Sequence, residues 1–249
     1  MDLSGRVIAI TGATSGIGEA TAVMAARAGA AVALAGRRAD RLEAIAARIS
    51  DEGGRALAVP TDVAVEDEAR AFVQQAFEHL GRLDVLVNNA GVMLLGPVTG
   101  ADTSEWRQMI EVNCLGLLYC THAALPVMGE QGGGHIVNVS SVAGRRAALG
   151  AGVYNMTKFG VTAFSEALRQ EALFSNIRVT VVEPGFVDTE LQGHNKDKDV
   201  VMQATDKMRE KIGKVLESDD IAASILYAVS QPEHVNVSEI MVVPRGQRQ

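Results

Sequence analysis

Cysteine is scarce in this chain, with only Cys114 and Cys120 among 249 residues. Six positions apart on a helix, their side chains diverge by roughly 240° around the axis, too far for a bridge. Both are expected to be reduced thiols in a reducing compartment. Histidine is thin as well: five occur, none at helical spacing from another and none beside a set of carboxylates, so a metal site finds no support. No apolar run reaches about 18 residues, and the opening "MDLSGRVIAITG" carries no long apolar stretch. Neither a membrane span nor a signal peptide is expected, and the cytoplasm is the expected compartment. Positive charge is also short, at 23 Lys and Arg against 30 Asp and Glu, a net charge of -7 with no basic stripe. That excludes a nucleic-acid partner and leaves small molecules. Repeats, low-complexity tracts and Pro/Ser-rich linkers are missing, so one domain over residues 1–249 is expected.

What is abundant is aliphatic residues in short runs. "RVIAI" (6–10), "AVALA" (31–35), "RALAVP" (55–60), "LDVLVN" (83–88), "GHIVNVS" (134–140), "IRVTVVEP" (177–184) and "EIMVV" (239–243) predict seven strands. Amphipathic segments lie between them, such as "SGIGEATAVMAARAG" and "EDEARAFVQQAFEHLG", the latter closing on a glycine suited to a helix C-cap. The strands are apolar throughout rather than alternating, as expected for a parallel sheet covered on both faces. The fold class is therefore α/β, a Rossmann-like doubly wound parallel sheet. The charged stretch of about 191–218 breaks this rhythm after the sixth strand, and residues 186–217 are expected to form a substrate lid.

Directly after the first strand comes "TGATSGIG". Gly12 permits a tight turn, Gly16 lets the backbone approach a pyrophosphate, and Gly18 lets the next helix pack on the sheet with its N–H groups facing the anion. The end of the second strand selects the dinucleotide. A carboxylate there would bind ribose hydroxyls and repel a 2′-phosphate. This chain reads "ALAGRR": Gly36 removes the carboxylate, while Arg37 and Arg38 bring forked donors suited to phosphate, so NADP(H) is favoured. Asp62, ending the third strand, is placed to accept from the adenine amino group or to cap a helix.

Taken together, "TGATSGIG", "NNAG" at 88–91, Asn113 in "EVNCLG", "SS" at 140–141, Tyr154 with Lys158, and "PG" at 184–185 resemble the short-chain dehydrogenase/reductases. Within that family "VMLLGPV", "TKFG", "LRQEA" and "HVNVSEIMVVP" are similar to the branch of clavulanate dehydrogenase and the bacterial 3-hydroxy acid dehydrogenases. The resemblance implies a seven-stranded fold, NADP-dependent carbonyl reduction or alcohol oxidation, and a homodimer or homotetramer. It assigns Ser141 to the carbonyl, Tyr154 as proton donor, Lys158 as its assistant, and Asn113 to a water linking the lysine to solvent. Thr14, Ser15, Ile17, Val63, Asn89, Ala90 and Gly91 would border the cofactor. Pro184, Gly185, Val187 and Thr189 would embrace the nicotinamide.

The chemistry is consistent with those assignments. Hydride transfer to a carbonyl leaves an alkoxide needing a proton, and a free phenol with pKa about 10 is poorly matched to neutral pH. A lysine four positions along a helix lies on the same face, and its ammonium is expected to lower the phenol's pKa. Ser141 adds a neutral donor for the developing oxyanion. The pocket wall is expected to include Met93, Leu94 and Leu95, and Arg145 or Arg146 is a candidate for a substrate carboxylate. Two alternatives stand beside a carbonyl reductase: a 3-hydroxy acid dehydrogenase working oxidatively, and a dinucleotide-binding regulator without catalysis. A regulator would have no need of Ser141, Tyr154, Lys158 and Asn113 together.

Overall fold

The computed structural model describes residues 1–195 and 198–248. Alternation of strand and helix runs from β1 (Val7–Thr11), α1 (Gly16–Arg27), β2 (Ala31–Gly36), α2 (Ala39–Asp51), β3 (Arg55–Pro60) and α3 (Glu66–Leu80) to β4 (Val85–Asn88). The second half comprises α4 (Thr103–Ile110), a π turn (Glu111–Leu115), α5 (Gly116–Glu130), β5 (Gly134–Val139), α6 (Gly152–Glu171), β6 (Ile177–Pro184), α7 (Asp199–Ile212), α8 (Ser218–Val229) and β7 (Glu239–Val242). All seven expected strands form, each within two residues of its sequence-based bounds.

The strands pair in parallel in the order β3-β2-β1-β4-β5-β6-β7. Successive residues of each strand point to opposite faces, and both faces are covered, which explains the unbroken apolar runs. Ile8, Ile10, Val32, Leu34, Val137 and Val182 face one core with Ala22 of α1, Leu42 of α2 and Ile225 of α8. Ala9, Ala33, Leu86, Ile136 and Val179 face the other, with Phe72 of α3, Cys120 of α5 and Leu168 of α6. The expected C-cap at the end of α3 is present: Gly81 has φ 86°, the left-handed conformation that glycine adopts without a Cβ penalty.

Thr103–Glu130 is one helix long and apolar enough to cross a membrane by length and composition. Glu111 and His122 interrupt its hydrophobic sequence, so it contains no unbroken apolar stretch of about 18 residues. In the fold its inward residues Cys120, Ala124 and Met128 are fully buried against the sheet. Both cysteines are free thiols, and burial pushes that of Cys120 up to about 12.

The strand order reverses between β1, which leads outward to β2 and β3, and β4, which leads the other way. Ligands of open α/β sheets bind at such a reversal, at the strands' carboxyl ends. Close packing there depends on Gly18, because a Cβ on it would lie 2.3 Å from the Gly12 carbonyl oxygen and 2.6 Å from Asn89 Nδ2. Gly18→Ala is expected to lower stability by about 1–3 kcal/mol through overpacking against rigid backbone. Urea unfolding of the purified variant measures this; an unchanged midpoint would show that α1 shifts freely.

Candidate active site

The carboxyl ends of the strands enclose a cleft of about 340 Å³. Its floor at the reversal is built by hydrogen bonds between two loops. Thr11 Oγ1 accepts from the backbone N–H groups of Asn89 and Ala90, both at 3.0 Å, and Asn89 Nδ2 donates to the carbonyls of Thr11 (3.0 Å) and Gly12 (3.2 Å). The amide of Asn89 is thus engaged with the glycine loop while the residue still borders the cleft. Gly12 and Gly16 have φ of 65° and 58°, so the loop turns where a side chain would be strained.

Of the expected cofactor contacts, Gly12, Thr14, Ser15, Gly16, Ile17, Arg37, Arg38, Asp62, Val63, Asn89, Ala90, Gly91, Pro184, Gly185, Val187 and Thr189 all line this cleft. Gly18 lies behind the loop in its packing role. At Gly36 a Cβ would come 2.6 Å from Thr14 Cγ2, so a side chain there, such as the carboxylate that favours NAD, would displace Thr14. Arg38 is oriented by the glycine loop, its Nη2 donating to Thr14 Oγ1 at 2.8 Å and Ser15 Oγ at 2.9 Å. Arg37 is exposed at the same end and forms no ion pair among the described residues. Asp62 Oδ1 accepts from the N–H of Ala64 at 3.0 Å, a local turn before α3.

The other end of the cleft holds Tyr154 and Lys158, one turn apart on α6 and only 6% and 5% exposed. Lys158 Nζ donates to the Val139 carbonyl at 2.9 Å and lies 5.9 Å from the centre of the Tyr154 ring. Ser140 and Ser141, following β5, divide their duties. Ser140 Oγ donates to the Lys158 carbonyl at 3.0 Å, fixing α6 against the sheet. Ser141 borders the cleft, accepts from the Ala143 N–H at 3.1 Å and donates to the Pro184 carbonyl at 3.4 Å.

Asn113 sits in the π turn, a local widening that often marks functional positions in helices. Its side chain forms a buried clamp: Oδ1 accepts from Val92 N at 2.8 Å, while Nδ2 donates to Val92 O at 2.9 Å and Thr157 Oγ1 at 3.2 Å. Thr157 Oγ1 in turn donates to the Tyr154 carbonyl. Asn113 therefore connects the wall after β4 to the helix carrying Tyr154 and Lys158.

The phenol differs from the sequence-based expectation. Burial pushes Tyr154 up to about 12, outweighing the opposing hydrogen-bond influence of Ser141, and burial pushes Lys158 down to about 8. Desolvation is the largest effect on both groups. At Tyr154 desolvation prevails over the expected lowering by an adjacent ammonium.

Two expected substrate contacts are placed elsewhere. Arg145 does not line the cleft: its Nε donates to Glu183 Oε1 at 2.6 Å and its Nη2 to Glu239. Glu183 is 1% exposed, and a carboxylate so buried needs a counter-charge, which takes up the guanidinium. Met93 packs with Val92, Met109 and Tyr154 rather than facing the cavity, whose apolar wall comes from Val92, Val112 and Leu191.

Of the residues 186–217 expected to form a lid, 196 and 197 lie outside the described residues. A 3-10 stretch, Glu190–Asn195, folds over the cleft mouth. Asn195, 1% exposed, accepts from Leu95 N at 2.8 Å and donates to Met93 O at 2.9 Å. Lys198 Nζ donates to the Leu95 carbonyl at 2.9 Å and pairs with Glu105 at 2.6 Å. Glu190, Gln192 and His194 line the cleft from this side, though no sequence motif singled them out. Burial and nearby Arg37 hold the His194 imidazole below its ordinary pKa.

Comparison with known proteins accounts for this arrangement. The model of the short chain dehydrogenases matches residues 6–200. The chain belongs to that family. Among its relatives in the short chain dehydrogenase family is an uncharacterised oxidoreductase of Staphylococcus saprophyticus, 41% identical over 244 residues, with 97% of each chain covered. A glycine betaine reductase of Emericella nidulans is 42% identical over 246 residues, covering 98% of this chain but only 19% of that much longer protein. Among solved structures, an alcohol dehydrogenase from Thermococcus sibiricus in complex with 5-hydroxy-NADP is 31% identical, with a TM-score of 0.87 and 98% of each chain covered. A closed serine dehydrogenase complexed with NADP+ is 30% identical with a TM-score of 0.88, covering 98% of this chain and 96% of its own.

The buried lysine makes a testable contribution to stability. Its proton leaves at about 8 in the folded chain and at an ordinary 10.5 in the unfolded one. Between those values the unfolded chain binds more protons, so folding stability rises with pH across the window. From pH 7 to pH 9.5 the wild type is expected to gain about 2 kcal/mol relative to Lys158→Met. Urea denaturation of both proteins at the two pH values measures the difference, and parallel behaviour would mean the ammonium is not desolvated.

Proposed function

We propose that this chain is an NADP(H)-dependent oxidoreductase that reduces a ketone or aldehyde to an alcohol, or runs the reverse reaction, with Tyr154 as proton donor. The supporting observation is a single cleft with the glycine loop and Arg38 at one end and the buried Tyr154–Lys158 pair at the other. The residues present fit a dinucleotide. The loop turns at Gly12 and Gly16, and Arg38 presents a guanidinium where a 2′-phosphate would bind. The NADP complexes of the alcohol and serine dehydrogenases support the same reading.

When bound, NADPH supplies hydride to the carbonyl carbon. Ser141 holds the carbonyl oxygen by its hydroxyl, and Tyr154 delivers the proton from its phenol Oη to that oxygen. Lys158 stabilises the phenolate left behind, and electrostatic stabilisation of this kind matters most in a dry site. Asn113 holds Val92 and Thr157, keeping wall and helix in register, and its turn is the proposed station for a water leading from Lys158 to solvent. Val92, Val112 and Leu191 exclude water from the reacting carbon.

The 186–217 segment serves as the substrate lid of a single-domain, soluble cytoplasmic enzyme. With Arg145 engaged by Glu183 and Glu239 and Arg146 exposed away from the cleft lining, a small oxo-acid lacks both arginines expected as its clamp, and a neutral aldehyde such as a secondary-metabolite intermediate fits the apolar wall better. Oxidation of a 3-hydroxy acid remains the second reading through the shared chemistry of the site. Half-exposed Met156 and Phe159 on α6, with Leu118 on α5, support a homo-oligomer, either dimer or tetramer.

Tyr154→Phe is expected to retain NADPH binding while reduction falls by about 100-fold or more. Fluorescence titration with NADPH and turnover on a panel of ketones, aldehydes and oxo-acids, with NADH as control, make the comparison. Near wild-type turnover would remove Tyr154 as the donor.

A further inference from the structure

The guanidinium of Arg38 at one end of the cleft, with that of Arg41 of α2 beside it, already holds an anion, and it belongs to the protein. Glu190 Oε2 accepts from Arg38 Nη1 and its Oε1 from Arg41 Nη1, both at 2.7 Å. Arg38 is anchored by Thr14 and Ser15, so its fork is fixed before any ligand arrives. Glu190 is not fixed in the same way. Its side chain is 51% exposed, and it begins the 3-10 stretch that crosses the cleft mouth.

We propose that Glu190 is a built-in competitor for the cofactor's 2′-phosphate, a residue that limits the preference for NADP(H) over NAD(H) by occupying the guanidiniums of Arg38 and Arg41. This rests on the NADP(H) reading above. A phosphate monoester competes for the N–H groups that Glu190 now holds and brings like charge toward the carboxylate, so it reaches Arg38 and Arg41 only as Glu190 withdraws, while Arg37, exposed at the same end, is open to it throughout. A ribose 2′-hydroxyl makes no such demand. It is neutral and can donate to the carboxylate, leaving both ion pairs in place. The penalty therefore falls on the phosphorylated cofactor alone.

The interaction also connects cofactor choice to the lid. Glu190 lies five residues before Asn195, which pins the stretch to Met93 and Leu95. Withdrawal of Glu190 frees one end of that stretch from α2 while the other stays held. The low carboxyl pKa of Glu190, about 2 through its bonds to Arg41 and Arg38, keeps the competitor charged throughout the working pH range.

The test measures binding rather than turnover. Calorimetric titration of wild type and Glu190→Gln uses NADPH, NADH and the fragments adenosine 2′,5′-bisphosphate and 5′-AMP. The variant is expected to bind NADPH and the bisphosphate roughly 5- to 10-fold more tightly, with NADH and 5′-AMP changed by less than about 2-fold. Glu190→Ala, which removes the amide as a new partner, is expected to behave alike, and thermal unfolding verifies that both variants fold. Unchanged bisphosphate affinity, or equal shifts for all four ligands, would overturn the role of Glu190. If the wild type bound 5′-AMP and NADH more tightly than their 2′-phosphorylated counterparts, the NADP(H) reading itself would fall, and this inference with it. A wild type that prefers NADPH but is indifferent to residue 190 would overturn the inference alone.

Discussion

Parallel pairing of β1 with β4, where the strand order turns back on itself, is the constraint on which the other features depend. Two loops leave that reversal in opposite directions and open a crevice between them. Unsupported, their backbone polar groups would face an apolar interior at a cost of about 1–3 kcal/mol each. Thr11 and Asn89 remove the cost by satisfying one loop with the other. The glycine loop therefore inherits its position from the sheet, and α1 can start close enough to aim its N–H groups into the cleft.

A second group of polar side chains carries this order to the far end of the cleft. Asn113 ties the wall after β4 to Thr157, and Ser140 ties the end of β5 to the Lys158 carbonyl. Asn155 adds a third tie, donating to the carbonyls of Ala143 and Arg146 and accepting from Ala148 N. The loop bearing Ser141 is thus held from α6, the helix that bears Tyr154 and Lys158. This rigidity accounts for a phenol and an ammonium being tolerated in a dry place: their surroundings are set by backbone contacts made for other reasons. It also explains the direction of their pKa shifts, since a fixed apolar enclosure disfavours charge on either group.

The fold and most of the cleft were legible because their signals are local. Strand runs, the spacing of Gly12, Gly16 and Gly18, and the one-turn offset of Tyr154 and Lys158 each depend on a few adjacent residues. What escaped is long-range pairing. Arg145 reads as a free cation beside Ser141 until β6 and β7 bring Glu183 and Glu239 to it from 38 and 94 residues away. Glu190, Gln192 and His194 carry no motif, and only the path of the chain after β6 brings them over the cleft. Met93 is similar: an apolar run indicates burial but not which side each residue takes, and Val92 rather than Met93 faces the cavity. The phenol's pKa depends on something else again, since spacing gives the distance to a neighbouring charge and says nothing about the loss of water.

The clip made by Asn195 gives the cleft mouth a particular mechanical character. One side-chain amide replaces the carbonyl and N–H that a neighbouring strand would have offered to residues 93 and 95. Detaching it breaks two hydrogen bonds whose groups water can satisfy at once, a free energy on the order of 2 kcal/mol. Glu190, through Arg38 and Arg41, and Lys198, through Leu95 and Glu105, add side-chain bonds on either side of that clip, so no strand pairing is needed to hold the stretch against the cleft.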